Sequence, residues 1–358
     1  MTVCILGNGL TALILAKALT KQKIYVDVLY NKKYSNLNKT RTIGISKSNT
    51  DFLNKHVLNI NKLLWKLKKI EIYSNNLSGE KLIDFKKNEQ IFSIIKNHKL
   101  YDLLENNLFS NKYFKSKLIS QKNLSFIKKY ELIINCDPFN IITKKFFYKK
   151  IVKNYNSKAY TTIITHKKIS NDTAVQVFTD KGPLAFLPIS NTQTSIVYSI
   201  PNKPGKENNN VEKLIRSQNI KYKIKKFEKF SNFKLSLINL RVYHYKNFLA
   251  FGDLLHRIHP LAGQGFNMTI RDLKILLNII KKKYDIGLPI DKSVSIEFQN
   301  SIKYKNLIFS NGIDLIHQFF NIERKLKNNL LSKTVQKINK YQSINKMFTK
   351  IADEGFLF

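Results

Sequence analysis

The chain has 358 residues, enough to build one large domain or two closely joined domains. Hydrophobic residues make up 43% of it and aromatic residues 12%, a composition that is typical of globular proteins and excludes a disordered or collagen-like chain. The formal net charge of +38 comes from lysines spread along the whole sequence, without a nucleic-acid-binding motif. We therefore expect a solvated basic surface with some attraction for anionic lipid and no nucleic-acid partner, so that a nucleic-acid-binding protein is the least favoured alternative.

The cysteines and apolar segments indicate the cellular compartment of the protein. Cys4 and Cys136 both fall in segments predicted to be buried strands; two cysteines make no disulfide framework and indicate a reducing compartment. Residues 11–19 are apolar, but no basic segment precedes them and Lys17 lies within them, so they do not resemble a signal peptide. No window reaches the ~18 to 20 apolar residues of a membrane span. We expect a cytoplasmic protein, either soluble or peripheral on the inner face of the cytoplasmic membrane.

The first thirty residues predict a strand, a helix and a second strand. Residues 3–6 are apolar, residues 10–21 have helical character, and residues 24–30 are rich in β-branched and aromatic side chains. This order is the opening of a dinucleotide-binding fold. Residues 41–123 are polar with few Gly or Pro breaks and are predicted to be mainly helical, and residues 130–135 form another buried strand.

The middle of the chain has short apolar runs separated by turn residues, which predict an antiparallel sheet that walls a substrate cavity. A loop follows at residues 201–210, and the chain then returns to strand before it ends in helices. In the first of these helices Ile270, Leu273, Leu277 and Ile280 fall on one face, which should pack on the sheet. The predicted strands of this part are residues 159–166, 173–178, 184–189, 194–200, 241–245 and 248–252.

Gly7, Gly9 and Ala12 form a GxGxxA motif directly after the first predicted strand. Gly7 supplies a tight turn, Gly9 lets a pyrophosphate approach the backbone at a helix N-terminus, and Ala12 lets the helix pack on the strand. An ordinary strand-to-helix turn is the alternative for this motif alone. The acidic residue that usually binds the adenosine ribose is absent, because Tyr30 and Asn31 stand at the end of the second strand; Asn31 is expected to hydrogen-bond a hydroxyl instead.

The segment GDLLHRIHPLAGQGFN, which begins at Gly252, is the most informative motif of the chain. A strand that ends in Gly252 and Asp253 places a carboxylate at the carboxyl edge of the sheet, where such folds bind ligands. The later glycines let a flat ring lie against the backbone, and a helix that begins near Phe266 directs its positive end at the same place. His256 and His259 have no third ligand at zinc-like spacing, so we interpret them as turn and supporting residues and expect no metal.

This segment resembles the GDAAHxxHPxxGQGxN block of the para-hydroxybenzoate hydroxylase superfamily of flavin monooxygenases, and in particular the ring hydroxylases of ubiquinone biosynthesis. The resemblance implies FAD as the cofactor, with Asp253 bound to the ribitol chain and Pro260 against the flavin ring. It also implies that backbone N–H groups of the turn and of the helix start point at the pyrimidine end of the ring. The residues of that turn and helix start are Gly263, Gln264, Gly265, Phe266 and Asn267.

Three other segments are similar to the family in the same order along the chain. Arg41 begins the segment RTIGIS, which is similar to RxxALS, whose arginine reaches toward the FAD phosphates in the family. Residues 95–97 resemble the start of a helix beside the flavin. Residues 178–188 resemble the strand pair F-x-x-x-GP-x-A-x-LP of the substrate domain.

Asp137 falls where the family has its second dinucleotide motif, Gly-Ala-Asp-Gly followed by Ser and Arg. Here the segment is Asn-Cys-Asp-Pro, and Ile141 and Lys144 stand where Ser and Arg would be. The motif helps to hold FAD and NAD(P)H in the family. NAD(P)H is therefore predicted as a co-substrate with less support than FAD.

The predicted fold is α/β: an FAD/NAD(P)-binding Rossmann-like domain with an inserted antiparallel-sheet substrate domain and a helical C-terminal end. The FAD-binding part is divided into two segments, the first of which contains an inserted helical segment. The predicted boundaries are 1–158 and 246–290 for the FAD-binding part, 159–245 for the substrate domain and 291–358 for the C-terminal helices.

The resemblance implies that NAD(P)H reduces FAD and that one oxygen atom of O2 is delivered to the aromatic ring of a polyprenyl-phenol or related quinone precursor. No catalytic acid or base is implied, and none is named. Other quinone-biosynthesis proteins and the membrane surface are expected partners, the latter through the lysines and residues 348–358. Two alternatives stay open: an FAD-binding oxidoreductase of the same fold that inserts no oxygen, and a degenerate flavoprotein that serves as an assembly subunit of the quinone pathway.

Overall fold

The structure is a computed structural model that describes residues 2–32, 38–77, 79–86, 89–120, 128–202, 210–326, 329–339 and 341–355. Its strands are β1 (Thr2–Leu6), β2 (Tyr25–Tyr30), β3 (Thr42–Ser46), β4 (Trp65–Leu67), β5 (Lys69–Ser74), β6 (Lys81–Lys86), β7 (Phe92–Lys96), β8 (Phe114–Leu118), β9 (Ile133–Asn135), β10 (Lys150–His166), β11 (Thr173–Thr179), β12 (Gly182–Pro188), β13 (Gln193–Pro201), β14 (Ile224–Phe227), β15 (Ser231–Leu240), β16 (His244–Tyr245), β17 (Phe248–Ala250) and β18 (His256–Arg257). Its helices are α1 (Leu10–Lys21), α2 (Lys47–His56), α3 (Asn97–Phe109), α4 (Ile141–Phe146), α5 (Val211–Ser217), α6 (Gln264–Asp285), α7 (Lys292–Leu326), α8 (Leu330–Asn339) and α9 (Gln342–Glu354).

A six-stranded sheet in the order β16-β17-β9-β1-β2-β8 forms the dinucleotide-binding part. Its neighbouring strands are parallel except for the β16–β17 hairpin at one edge. β1 is apolar and almost entirely buried, as expected of a strand covered on both faces. The predicted strand–helix–strand opening is confirmed, and α1 begins and ends where it was predicted.

A nine-stranded sheet follows the order β18-β15-β10-β13-β12-β11-β5-β6, with β14 paired to β10. Its pairs are antiparallel except β11 with β5. Along β12, buried Leu184 and Phe186 alternate with half-buried Ala185 and Leu187. The buried side chains belong to a core that also includes Ile215 of α5, so that the half-buried ones lie on the opposite face of the sheet.

A small antiparallel sheet in the order β3-β7-β4 is formed by strands that lie between β2 and β8 in the sequence. α6 runs past β3 and packs against α7. The predicted apolar face of α6 is confirmed, because Ile270, Leu273, Leu277 and Ile280 are all buried in the largest core. The predicted helical end of the chain is confirmed as α7, α8 and α9 over the described residues.

The prediction that residues 41–123 are mainly helical is wrong. This segment contains β3 to β8, and among its described residues only α2, α3 and short 3-10 turns are helical. β5 and β6, with sequences KIEIYS and KLIDFK, join the large sheet, so the inserted segment is not a helical insertion. Their alternation of aliphatic and charged residues has the period of a strand, and the lysines concealed it.

Two further differences concern the strands that precede α6. β14 and β15, at residues 224–240, were not predicted, and the predicted strand 241–245 is reduced to β16.

Parts of the predicted loop 201–210 and of the C-terminal stretch 348–358 lie outside the described residues. The domain boundaries stay predictions, although β10 begins at Lys150, before the predicted boundary at residue 158.

Among the described residues, no helix combines the length and the apolar character needed to cross a bilayer.

Candidate functional site

Three turns meet at the carboxyl edge of the six-stranded sheet. β1, β9 and β17 are adjacent and parallel, so the turns that follow them lie side by side. Gly7, which follows β1, has a φ of +107°, and a Cβ added to it would lie 3.3 Å from Cβ of Asp137. Gly252, which follows β17, has a φ of +69°, and a Cβ there would lie 2.6 Å from Cγ2 of Thr11. Both turns therefore require glycine in conformation and in space.

Two carboxylates converge on the same edge. Burial and the neighbouring carboxylates of Asp137 and Asp253 raise the pKa of the Cys136 thiol, which places both acids close to that residue. Asp253 is exposed, and Asp137 is half-buried. Asp137 follows β9 and Asp253 follows its neighbour β17, at the edge that also carries the turn of Gly7.

The N-terminus of α1 is open to a ligand. Gly9 is its N-cap residue, has an extended conformation and is not part of any side-chain capping bond. A Cβ added to Gly9 would meet nothing within 4 Å, and Ala12 is fully buried against the core. Uncapped N–H groups at a helix start, with room in front of them, are a surface suited to a phosphate.

The end of β2 lacks an acid, as the sequence predicted. Tyr30 and Asn31 are both half-buried there. The carboxylate on this strand, Asp27, lies nearer the strand's start and accepts a hydrogen bond of 2.6 Å from the Tyr130 hydroxyl. Asp27 therefore does not replace the missing ribose acid.

The segment 252–267 joins the two large sheets. Residues 252–254 form a 3-10 turn, β18 pairs with β15 of the large sheet, and α6 begins at Gln264. Gly263 caps α6 with a φ of +63° and no side-chain cap, so this helix also presents free N–H groups. The helix thus begins two residues before the predicted start near Phe266, and the predicted residues still form the turn and the first residues of the helix.

Asn267 fixes the turn against β3. Its amide nitrogen donates to the carbonyl oxygens of Gly44 and Gly263, each at 3.0 Å, and its amide oxygen accepts from the backbone N–H of Ser46 at 2.9 Å. A Cβ added to Gly263 would lie 3.6 Å from Cα of Gly44 and 3.7 Å from Cζ of Phe92. The result is a wall of backbone and one aromatic ring, which suits a flat ligand; Phe92 had no signal in the sequence.

Other predicted residues lie around this wall. Pro260 and Gly265 are half-buried, and a Cβ added to Gly265 would meet only Ile258. Phe266 is half-buried and packs against the largest core. Arg41 is exposed at the start of β3, where its carbonyl oxygen accepts from the N–H of Asn97, the first residue of α3. The predicted helix start at residues 95–97 is confirmed.

The altered motif around Asp137 is held by a buried amide network. The side chain of Asn140 caps α4 through the N–H of Thr143, and it donates to the amide oxygen of Asn135, each at 2.8 Å. The amide nitrogen of Asn135 donates to the Thr143 hydroxyl at 2.8 Å. Lys144, in the position of the family's arginine, is exposed. The segment is thus a well-bonded turn whose chemistry differs from the family pattern.

The two histidines of the segment have different surroundings. Nε2 of His256 lies 2.6 Å from a carboxylate oxygen of Asp272, and Asn306 donates to the same carboxylate. His259 is buried and stacks on His317 with 4.3 Å between ring centroids, and no described residue forms a hydrogen bond with either of its ring nitrogens. Among the described residues, no group of three potential ligands would hold a metal ion.

The contact between His256 and Asp272 joins β18 to α6 and, through Asn306, to α7. Replacement of His256 by alanine is expected to lower the free energy of unfolding by about 2–4 kcal/mol, because the buried carboxylate of Asp272 loses its hydrogen bond with the imidazole. Chemical denaturation would measure it. The exposed His56→Ala variant is the control and should change that free energy by less than about 0.5 kcal/mol; equal effects of the two variants would contradict this role.

A cavity that opens to solvent lies between the large sheet and α7; its space, including the solvent at its mouth, is about 370 Å³. Phe178 and Phe320 stack in its wall with 3.5 Å between ring centroids. His317, Asn321 and Arg324 of α7 supply polar groups to it. His317 connects the cavity to the segment 252–267 through its stack on His259, so the cavity adjoins the turn that carries Pro260.

Burial lowers the pKa of His259 to about 3, with a further contribution from His317, and burial lowers the pKa of His317 to about 4. The ordinary value for histidine is 6.5, so the unfolded chain binds more protons than the folded chain below that pH. The free energy of unfolding should therefore decrease as the pH falls from 6.5 toward 4, by up to roughly 1.4 kcal/mol per pH unit for each histidine.

Denaturation at several pH values would test this, with His259→Phe as the comparison. Phenylalanine keeps the ring packing and cannot be protonated, and no hydrogen bond to the described part of the chain is lost, because neither ring nitrogen of His259 has a partner there. The variant should lose stability less steeply at low pH than the wild type. Superimposable pH profiles would show that His259 does not contribute.

The C-terminal helix also reaches the site. The side-chain amide of Gln264 donates to the carbonyl oxygen of Ala352 at 3.1 Å, and a carboxylate oxygen of Asp353 accepts from the N–H of Ser48 at 2.9 Å. The hydroxyl of Ser46 donates to the carbonyl oxygen of Asp353 at 3.0 Å. α9 is thus bonded to both sides of the turn that Asn267 holds. These contacts join residues more than 80 positions apart, and no local pattern indicates them.

No family model matches the chain. The mitochondrial ubiquinone biosynthesis monooxygenase COQ6 of Xenopus tropicalis is 24% identical over 237 residues, which are 54% of this chain and 51% of that protein. The 3-demethoxyubiquinol 3-hydroxylase of Escherichia coli is 28% identical over 160 residues, 42% of this chain and 40% of that protein. The chain therefore spans about half the length of the curated relatives it matches, or less.

Solved structures match over nearly the whole chain. The p-nitrophenol 4-monooxygenase PnpA of Pseudomonas putida superimposes with a TM-score of 0.79 at 11% identity and covers 100% of both chains. HpxO of Klebsiella pneumoniae, solved in complex with FAD and uric acid, superimposes with a TM-score of 0.74 at 11% identity, over 99% of this chain and 97% of that one. The predicted fold class is confirmed. The chain thus has the fold of the FAD-dependent aromatic-ring monooxygenases, and its similarity in sequence is to monooxygenases of ubiquinone biosynthesis.

Proposed function

We propose that the chain is an FAD-dependent monooxygenase that hydroxylates the aromatic ring of a polyprenyl-phenol, a precursor in ubiquinone biosynthesis. The observation that carries the proposal is the position of the segment 252–267. It places Asp253 beside the turn of Gly7 and the open start of α6 beside β3, within a chain similar to two ubiquinone-pathway hydroxylases. NAD(P)H is proposed as the reductant.

The chain fits FAD at three places. The open start of α1 at Gly9 suits the pyrophosphate, and the exposed carboxylate of Asp253 suits the hydroxyls of the ribitol chain. The wall formed by Gly44, Gly263 and Phe92, with the uncapped start of α6 beside it, suits the flat ring and the negative charge of its reduced form. When bound, FAD supplies the electron transfer and the activation of O2.

At the ribose end the fit is weaker. A carboxylate at the end of β2 usually binds the adenosine ribose, and this chain offers only the amide of Asn31. A neutral amide forms weaker hydrogen bonds than a carboxylate does. The flavin and ribitol halves therefore provide most of the affinity for FAD in this proposal.

The cavity between the large sheet and α7 is the proposed site of the aromatic ring. Phe178 and Phe320 offer a stacking surface, and the polar groups of His317 and Asn321 orient a phenol hydroxyl. His317 is held neutral by burial, which lowers its pKa to about 4, so it can accept a hydrogen bond at neutral pH.

The test combines colour with isotope transfer. Purified protein should take up FAD and turn yellow, consume NADH or NADPH, and transfer an atom from isotopically labelled O2 to a prenylated phenol. Protein that remains colourless with added FAD would exclude the proposal. Turnover without label in the product would instead identify an oxidoreductase that inserts no oxygen.

A flavoprotein that serves only as an assembly subunit is the second candidate. The amide network of Asn135, Asn140 and Thr143 favours it, because this network replaces the family's second dinucleotide motif by a turn with other bonding groups. FAD binding without any turnover, together with recovery of other quinone-biosynthesis enzymes in a complex, would support this candidate.

A further inference from the structure

α7 carries an apolar face that is turned to solvent. Four large side chains on it recur at helical spacing over some 18 residues, and each is between 51% and 70% exposed. Contiguous apolar surface of this kind is uncommon on a soluble monomer and marks a contact site. The outward face of α7 comprises Tyr304, Ile308, Leu315 and Ile322.

The opposite face of α7 is fixed to the protein, so the outward face cannot turn inward. The side-chain oxygen of Gln299 accepts from the N–H of Tyr243 at 2.8 Å, and the hydroxyl of Ser310 donates to Asn239 at 3.1 Å. Further along the helix, Asp314 accepts from Lys153 at 2.8 Å. Phe298 and other apolar residues of the inner face are buried.

Charges are absent from the middle of the outward face and collect at its two ends. Between residues 306 and 323 the charged residues are Asp314 and Glu323, and both are buried. Lys303 and Lys305 precede this stretch, and Lys325 follows it, whereas Arg324 belongs to the inner face and lines the cavity. An apolar band with basic residues beside it is the pattern of helices that lie in the headgroup region of an anionic bilayer.

We propose that the outward face of α7 docks on an anionic membrane surface. The apolar side chains enter the boundary between headgroups and acyl chains, and the lysines contact the phosphates. The net charge of +38 attracts the whole protein to such a surface before the apolar contact forms. The same charge on a second copy opposes self-association through this face, which is why the membrane is favoured over a dimer.

The inner face of the same helix lines the cavity described above, through His317, Phe320 and Arg324. Docking would therefore place the cavity about one helix diameter, roughly 10 Å, from the lipid headgroups. In combination with the proposed function, on which this step alone rests, α7 brings the cavity to the phase that holds a prenylated phenol. The docking itself depends only on the surface of α7.

Vesicle flotation of the full chain tests the docking. The double variant Ile308→Glu and Leu315→Glu alters the outward face, and Phe109→Glu with Ile220→Glu alters two exposed apolar residues elsewhere. Each pair lowers the net charge by two, so the electrostatic attraction of the two variants is matched. Circular dichroism of both would establish that they fold.

Wild type and the Phe109 and Ile220 variant should float with phosphatidylglycerol vesicles and not with phosphatidylcholine vesicles. The α7 variant should partition at least about tenfold more weakly than the wild type, because the apolar contribution to binding is lost. Equal flotation of the two variants, or failure of the wild type to float, would overturn the proposal. A wild-type dimer that the α7 variant converts to a monomer would overturn it too, since two copies would then cover this face.

Turnover separates the docking from the proposed function. The α7 variant should lose hydroxylation of a prenylated phenol embedded in vesicles and keep hydroxylation of a short-chain phenol in solution. Wild type that floats but hydroxylates neither phenol would refute the proposed function and leave the docking intact. Equal loss on both phenols would refute the delivery of substrate through α7.

Discussion

Replacement of Gly9 by valine is expected to abolish FAD binding and to leave the apo-protein folded. Gly9 has an ordinary extended conformation, and an added Cβ would meet no atom within 4 Å, so the fold accepts a side chain. The loss in free energy of unfolding should stay within about 1 kcal/mol, the usual range for an exchange at a helix N-cap. The branched side chain would fill the space in front of α1 that the pyrophosphate is proposed to occupy.

Flavin titration and chemical denaturation of the same preparation would measure both effects. Gly252→Val is the comparison, because Gly252 has a φ of +69° and an added Cβ would collide with Thr11. That variant should lose roughly 2–4 kcal/mol of stability through backbone strain and overpacking. Wild-type affinity of Gly9→Val for FAD would show that the pyrophosphate does not lie at this turn.

Replacement of Asp253 by alanine is expected to weaken FAD binding by about 10- to 100-fold, the loss that follows removal of charge-assisted hydrogen bonds. Asp253 is exposed at the carboxyl edge, beside Asp137 and the turn of Gly7, so it supports little of the fold itself. Asp253→Asn should retain part of the affinity, since an amide oxygen still accepts a hydrogen bond.

The affinity for FAD would be measured by flavin fluorescence, with Asp285→Ala as the matched control. Asp285 is an exposed acid at the end of α6, paired with Lys281, and its removal changes the net charge by the same amount. The control should bind FAD as the wild type does. Equal weakening in both variants would mean that overall charge, and not a ribitol contact, determines the affinity.

The elements that the sequence predicted best are those whose pattern is local. α1 lies between two apolar strands and has its start marked by Gly9, and the buried face of α6 follows from the spacing of Ile270 and Leu273. The resemblance at residues 178–188 indicated the hairpin of β11 and β12, which turns at Asp180 and Lys181. These signals need no knowledge of distant residues, because hydrophobic periodicity and turn chemistry act over a few positions.

β5, β6 and β15 were missed for a different reason. Their aliphatic residues alternate with lysine, serine or asparagine, and a lysine-rich composition gives polar character to helices, loops and edge strands alike. β5 belongs to the large sheet because it pairs with β11, which lies about 100 residues further along the chain. Such pairing depends on which edge is left open in the folded sheet, and no local pattern specifies it.

By itself the sequence determined the glycine turns, the carboxylate of Asp253 and the order of these motifs. A backbone conformation that favours glycine requires that residue at one position, so it can be recognised from the sequence alone. Tertiary structure alone decided that Phe92 and Gly44 form the wall beside Gly263, that α9 is bonded to Gln264, and that α7 lines the cavity on one face and meets solvent on the other. Those contacts join residues far apart in the chain, and they arise from packing several elements around a common core, which short-range spacing does not record.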